Sequence, residues 1–103
     1  EVHGALAVKH MKALRIRKYV QLHAGDYEVT RLMTQSRNCQ PPHDGVVELW
    51  WESEQDRLEA SASPEGQAAG REMREDELCF CDMSRATVSF GYEHVIIEDG
   101  KAV

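Results

Sequence analysis

Apolar and polar positions recur with two different periods along this chain, and the changes of period mark its elements. From Val2 to Met11 no proline interrupts, and Leu6 and Ala7 fall at helical spacing from His3 and His10, which predicts a helix already under way where the chain begins. From Leu14 to Leu22 the period becomes two. Leu14, Ile16, Val20 and Leu22 point one way and Arg15, Arg17, Tyr19 and Gln21 the other, as in a strand. Ala24 to Asp44 carries Gly25, Pro41 and Pro42 and reads as a long loop whose middle, Tyr27 to Thr34, has room for a short helical turn. A second strand is predicted over Val46 to Glu52, with Val47, Leu49 and Trp51 on one face and Val46, Glu48 and Trp50 on the other.

Ser53 then suits an N-cap, with Asp56 at the capping-box position and Leu58 and Ala62 as the stripe of a short helix. Ser63-Pro64 restarts the helix, because proline is favoured at the first helical position, and the pattern runs to about Asp76. Two strand-like runs close the chain, Ala86 to Phe90 and Tyr92 to Glu98. The predicted order is α-β-β-α-β-β, without internal repeat.

Composition narrows what this pattern can be. With 103 residues, 42% hydrophobic and 29% charged, the chain fits one folded domain over residues 1–103 and has no room for a second core. No run approaches the ~20 apolar residues of a membrane span, so no membrane is expected. The formal net charge of −6 repels phosphate backbones and argues against nucleic acid as a partner. Three cysteines, Cys39, Cys79 and Cys81, are an odd number, and the last two are spaced too closely for an unstrained disulfide. That reading favours a cytoplasmic, reducing setting with buried thiols acting as small hydrophobes. A zinc site needs four ligands and no second cysteine pair exists, so no metal is expected. Glycine-rich nucleotide loops and the nucleophile elbow of serine hydrolases are absent as well.

Four strings in order, Glu1-Val2-His3-Gly4 followed by a leucine, Arg17-Lys18-Tyr19-Val20-Gln21, Asp44-Gly45-Val46-Val47-Glu48-Leu49-Trp50 and Ala62-Ser63-Pro64-Glu65-Gly66-Gln67, carry a resemblance that spans nearly the whole chain. The chain resembles EthD-domain proteins. The resemblance implies an α+β fold, a ferredoxin-like antiparallel sheet with helices on one face, and assembly as a dimeric α+β barrel in which the sheets of two subunits face each other. Two departures stand out: Ala5 replaces the family's usual proline, and the family's first, central strand is not in the chain. The domain is therefore expected to be N-terminally incomplete, with a strand roughly 20 residues upstream of Glu1.

By the same resemblance, the function is cofactor-independent acid–base chemistry on an aromatic, polyketide or lactone-like carbonyl compound: dehydration, cyclisation, decarboxylation or isomerisation. The alternative is a non-catalytic small-molecule binder, or an accessory protein of oxygenase-dependent degradation; a cofactor-free oxygenase is a third reading. His3 aligns with the family histidine and can shuttle a proton near neutral pH, or else serve as a buried structural histidine. Tyr19 is its companion, positioned to hold an oxyanion or to wall a pocket. Glu48 and Trp50 share a strand face and are expected to line the same cavity, with Arg15 or Arg17 as a structural partner for Glu48. His94 is expected to reach the pocket or the dimer partner, whereas His43 reads as a solvated turn residue. The two-sided apolar strand at Val46 to Trp51 calls for a covering layer beyond the helices, hence a homodimer.

Overall fold

A computed structural model describes residues 2–103; Glu1 of the first motif lies outside the described residues. Helix α1, Val2–Leu14, ends where Arg15 adopts the left-handed conformation with φ 57°. The Arg15 N–H donates to Lys12 O at 3.2 Å and the Ile16 N–H to Met11 O at 2.9 Å, the paired bonds of a Schellman cap. This cap corrects the predicted start of the first strand. Leu14 is still helical, and β1 runs over Lys18–His23. Arg17 leads into it, its N–H donating to Trp50 O at 2.8 Å.

β1 pairs antiparallel with β2, Gly45–Trp50, in the register Lys18↔Trp50, Tyr19↔Leu49, Val20↔Glu48, Gln21↔Val47 and Leu22↔Val46. Between them the expected short helical turn is a full helix, α2, Glu28–Arg37, closed by Asn38 in the left-handed conformation. Its apolar residues Val29, Leu32 and Met33 remain exposed. Helix α3, Glu54–Ala62, starts as predicted, with the Ser53 hydroxyl accepting the Asp56 N–H at 3.0 Å. Helix α4, Pro64–Glu77, is capped by Ser63 in the same way through the Gly66 N–H, also at 3.0 Å. Glycine is required at 66, because a Cβ there would meet the Ala60 carbonyl oxygen at 1.7 Å.

A 3₁₀ turn, Met83–Arg85, follows, and the chain closes in the small hairpin β3, Ile97–Glu98, and β4, Lys101–Ala102. Its turn places Asp99 and Gly100 both at positive φ, 52° and 75°, as a tight two-residue hairpin demands. The strand predicted at Ala86 to Phe90 is not formed, and the one predicted over Tyr92 to Glu98 shrinks to Ile97–Glu98. Alternation readies a segment for pairing, but among the described residues no strand edge lies alongside these runs to complete a ladder.

The architecture is thus α+β, with four α-helices beside two small antiparallel sheets among the described residues. The core is a seam of α1, α3 and α4 built on Ala7, Ala60, Ala69 and Met73, where the three alanines let the helices approach closely and Met73 fills the remaining space. Outside this seam the molecule is open. A compact 11.7 kDa monomer is expected to expose ~5,900 Å², yet this chain exposes 8901 Å².

Candidate functional site

His3 sits in the first turn of α1 on the side that carries Ala7 and His10, one turn and two turns further on. That side faces α4. His3 is only 6% exposed, and its Nδ1 lies 2.9 Å from Asp76 Oδ2, within hydrogen-bond distance, while Nε2 lies 3.7 Å from Glu77 Oε1. Phe80 closes the site edge-on, its ring centroid 5.4 Å from the imidazole. Two turns along, the His10 ring meets Glu72 Oε2 at 3.0 Å and Lys9 Nζ donates to Glu72 Oε1 at 3.3 Å. The His10 contact first, and Lys9 second, hold the Glu72 carboxyl below its usual range.

Tyr19 is half-buried on β1 and shares its face with Gln21 and His23 by the period of two. The row is knitted together. Gln21 Nε2 donates to the Tyr19 hydroxyl at 3.0 Å, and His23 Nε2 lies 3.1 Å from Gln21 Oε1. Gly4 of α1 approaches this row, a Cβ there standing 3.6 Å from Gln21 Nε2. His3 is the chain neighbour of Gly4, but its polar contacts go to Asp76 and Glu77 of α4 and not to Tyr19.

The register separates the other expected site residues from Tyr19. Residues opposite each other in an antiparallel ladder share a face, so Tyr19 and Gln21 go with Leu49 and Val47, while Glu48 and Trp50 go with Val20 and Lys18 on the reverse. Within the hairpin, Tyr19 therefore lies on the face opposite to that of Glu48 and Trp50. Trp50 is held instead by the Lys18 ammonium, 4.7 Å above its ring, and by an indole N–H bond to the Glu93 carboxylate. Neither expected arginine reaches Glu48. Arg15 pairs with Asp56 and Glu59, and Arg17 with Glu52 at 3.1 Å. His94, next to Glu93, is exposed and outside any strand, and His43 is exposed in its loop.

Cys79 and Cys81 are exposed, which corrects the expectation of buried thiols: the segment is a turn after α4, not a strand with an inner face. Partial desolvation, with Glu77 nearby, pushes the Cys81 thiol up from its usual value. No group of three or more His, Cys, Asp or Glu in metal-binding geometry occurs among the described residues. No helix among them is long and apolar enough to cross a membrane. Two open grooves flank α2, of about 370 Å³ along Val29, Met33 and Cys39 and about 520 Å³ along Tyr27, Pro41 and Pro42. Neither touches His3, Tyr19, Glu48, Trp50 or His94.

Sequence reasoning missed Asp76, Glu77 and Glu72, the partners of the two α1 histidines. They stand in a charged run that reads as a solvated helix face, and their histidines lie more than sixty positions away, so no local spacing connects them. Gln21 carried a signal, its membership of the polar strand set with Tyr19. The family model described as EthD domain matches residues 1–84 of the chain. No curated protein and no solved structure matches.

Proposed function

Because the chain belongs to the EthD domain family, we propose that it acts on a small carbonyl compound by cofactor-independent acid–base chemistry, at a site between α1 and the Tyr19 face of the sheet. The observation that supports this reading is the approach of Gly4, the neighbour of the buried His3, to the Gln21 amide that is bonded to Tyr19. Since Gln21 donates to the Tyr19 oxygen, the phenolic proton is left to donate to a substrate oxygen. In this reading His3 takes a proton from carbon next to the carbonyl and returns it, while Tyr19 stabilises the oxyanion that develops.

Glu48, Trp50 and His94 belong to the other side of the sheet in this proposal. Any ligand contact they make is across the space between two facing sheets of a homodimer, the assembly that the unusually large exposed surface supports. The three free, exposed thiols support a reducing, cytoplasmic setting.

One observation favours the second reading, a non-catalytic binder: both His3 ring nitrogens face carboxylates of α4. Native mass spectrometry of the purified protein, looking for a retained small molecule, followed by incubation of that complex in D₂O separates the two. Deuterium entering the ligand next to its carbonyl, and not entering with His3→Ala, supports the enzyme. A retained ligand that takes up no deuterium supports the binder, and the absence of any carbonyl ligand counts against both.

A further inference from the structure

The polar surroundings of His3 are unequal on its two nitrogens. On one side Asp76 Oδ2 lies 2.9 Å from Nδ1, a full hydrogen bond; on the other Glu77 Oε1 is 3.7 Å from Nε2, beyond hydrogen-bond reach. An ionised carboxylate only accepts, so the nitrogen bonded to Asp76 must carry a proton. The ring is 6% exposed, and Phe80 stands edge-on to it with the centroids 5.4 Å apart.

We propose that Asp76 is the positioning residue of His3, fixing the proton of the neutral imidazole on Nδ1 and leaving Nε2 as the nitrogen through which protons come and go. The same logic holds histidines in hydrogen-bonded sites generally: the bond made by one ring nitrogen decides which form the other presents. The inference rests on reading His3 as the proton carrier. Its own content, which nitrogen holds the proton and what holds it there, is measurable without any substrate.

Long-range ¹H–¹⁵N correlation spectra of protein labelled in its histidine rings report the tautomer directly, with the His3 signals assigned by their loss in His3→Gln. At a pH where the ring is neutral, wild-type His3 is expected in the Nδ1–H form. A wild-type Nε2–H form overturns the proposal whether or not any variant folds. In Asp76→Asn, whose amide can donate to Nδ1, the ratio of the two forms is expected to move toward Nε2–H by about 10-fold or more, the size of a lost bond to a charged group. Asp76→Glu is expected to restore the wild-type ratio. If Asp76→Asn leaves the ratio unchanged, the residue merely packs, and the proposal fails. If the tautomer result holds while deuterium uptake proves independent of His3, the catalytic reading fails and the positioning stands.

Discussion

Arg15 reaches Asp56 Oδ1 at 2.6 Å from a backbone that is itself left-handed, so the residue that closes α1 also ties it to α3. A second bond from the same Nη1, 3.1 Å to Glu59 Oε1, bridges two acidic residues one turn apart. The two roles pull in opposite directions, since an L side chain is disfavoured at φ 57° while the guanidinium needs that side chain.

Replacing Arg15 separates them. Arg15→Ala keeps the disfavoured backbone and loses both ion pairs; Arg15→Gly loses the pairs but relieves the backbone. Thermal unfolding is expected to rank wild type above Arg15→Gly and Arg15→Gly above Arg15→Ala, and raised salt should narrow the gap between wild type and Arg15→Gly. An alanine variant as stable as the glycine variant would show that the cap is not strained.

Two glycines of α4 predict opposite outcomes. A Cβ at Gly66 would meet Ala60 O at 1.7 Å and Ser63 Oγ at 2.9 Å, backbone and cap that have nowhere to go, so Gly66→Ala should cost about 3 kcal/mol or more. Nothing lies within 4 Å of a Cβ at Gly70, and Gly70→Ala should stabilise by about 0.4–1 kcal/mol through helix propensity and a less free unfolded chain. Urea unfolding of the two variants beside wild type checks both signs.

The acid limb of stability is expected to depend on Glu72. Its carboxyl titrates below the ordinary value of 4.5 because His10, and after it Lys9, bond the charged form. A group with a depressed folded pKa binds fewer protons when folded, so its contribution is present above 4.5 and is lost as the pH falls through the folded value. Glu59 acts in the same direction through Gln55 and Arg15. Glu72→Gln should therefore flatten the fall in urea midpoint below pH 4.5 and lower the plateau above it. An unchanged profile would mean that the Glu72 contacts with His10 and Lys9 carry no stability.

What was legible in the sequence is what local chemistry decides. Ser53 announced its N-cap and Ser63-Pro64 the restart of the helix, because a cap involves residues three apart and proline fits the first helical position. The α1 periodicity also held. The end of α1 was misread because Leu14 fits the period of a helix and of the strand that follows, and nothing in the identity of Arg15 signals a left-handed residue. The runs after Ala86 were misread because a strand is made by its neighbour, which alternation cannot supply. Among the candidate site residues, the faces that Tyr19, Glu48 and Trp50 occupy followed from a register that no single strand contains, and the partners of His3 from a helix more than seventy residues away.

If His3 and Tyr19 act as proposed, their removal should differ in size. His3→Ala removes the proton carrier and should lower deuterium uptake by a retained carbonyl ligand by about 10²–10⁴-fold, while Tyr19→Phe removes one hydrogen bond and should cost about 10-fold. Equal losses from both would assign the proton to Tyr19.

The last prediction uses the two faces of the hairpin to locate the subunit contact. Val20, Leu22, Val46 and Trp50 occupy one face, and Leu22 and Val46, opposite each other in the ladder, are 60% and 45% exposed. Val47 and Leu49, on the Tyr19 face, are 49% and 36% exposed, and Gly4 of α1 approaches that side at Gln21. A sheet covered by helices on one side hides its remaining apolar face against another layer, and the ~3,000 Å² by which this chain exceeds a compact monomer is enough for a stable interface. Sedimentation at micromolar concentration should therefore give twice the 11.7 kDa chain mass for wild type, and Leu22→Lys should bring it to one. Val47→Lys, one residue away on the partner strand and on the opposite face, should leave the dimer intact. If Val47→Lys dissociates the subunits and Leu22→Lys does not, the contact lies on the Tyr19 face; a wild-type monomer would remove the interface altogether.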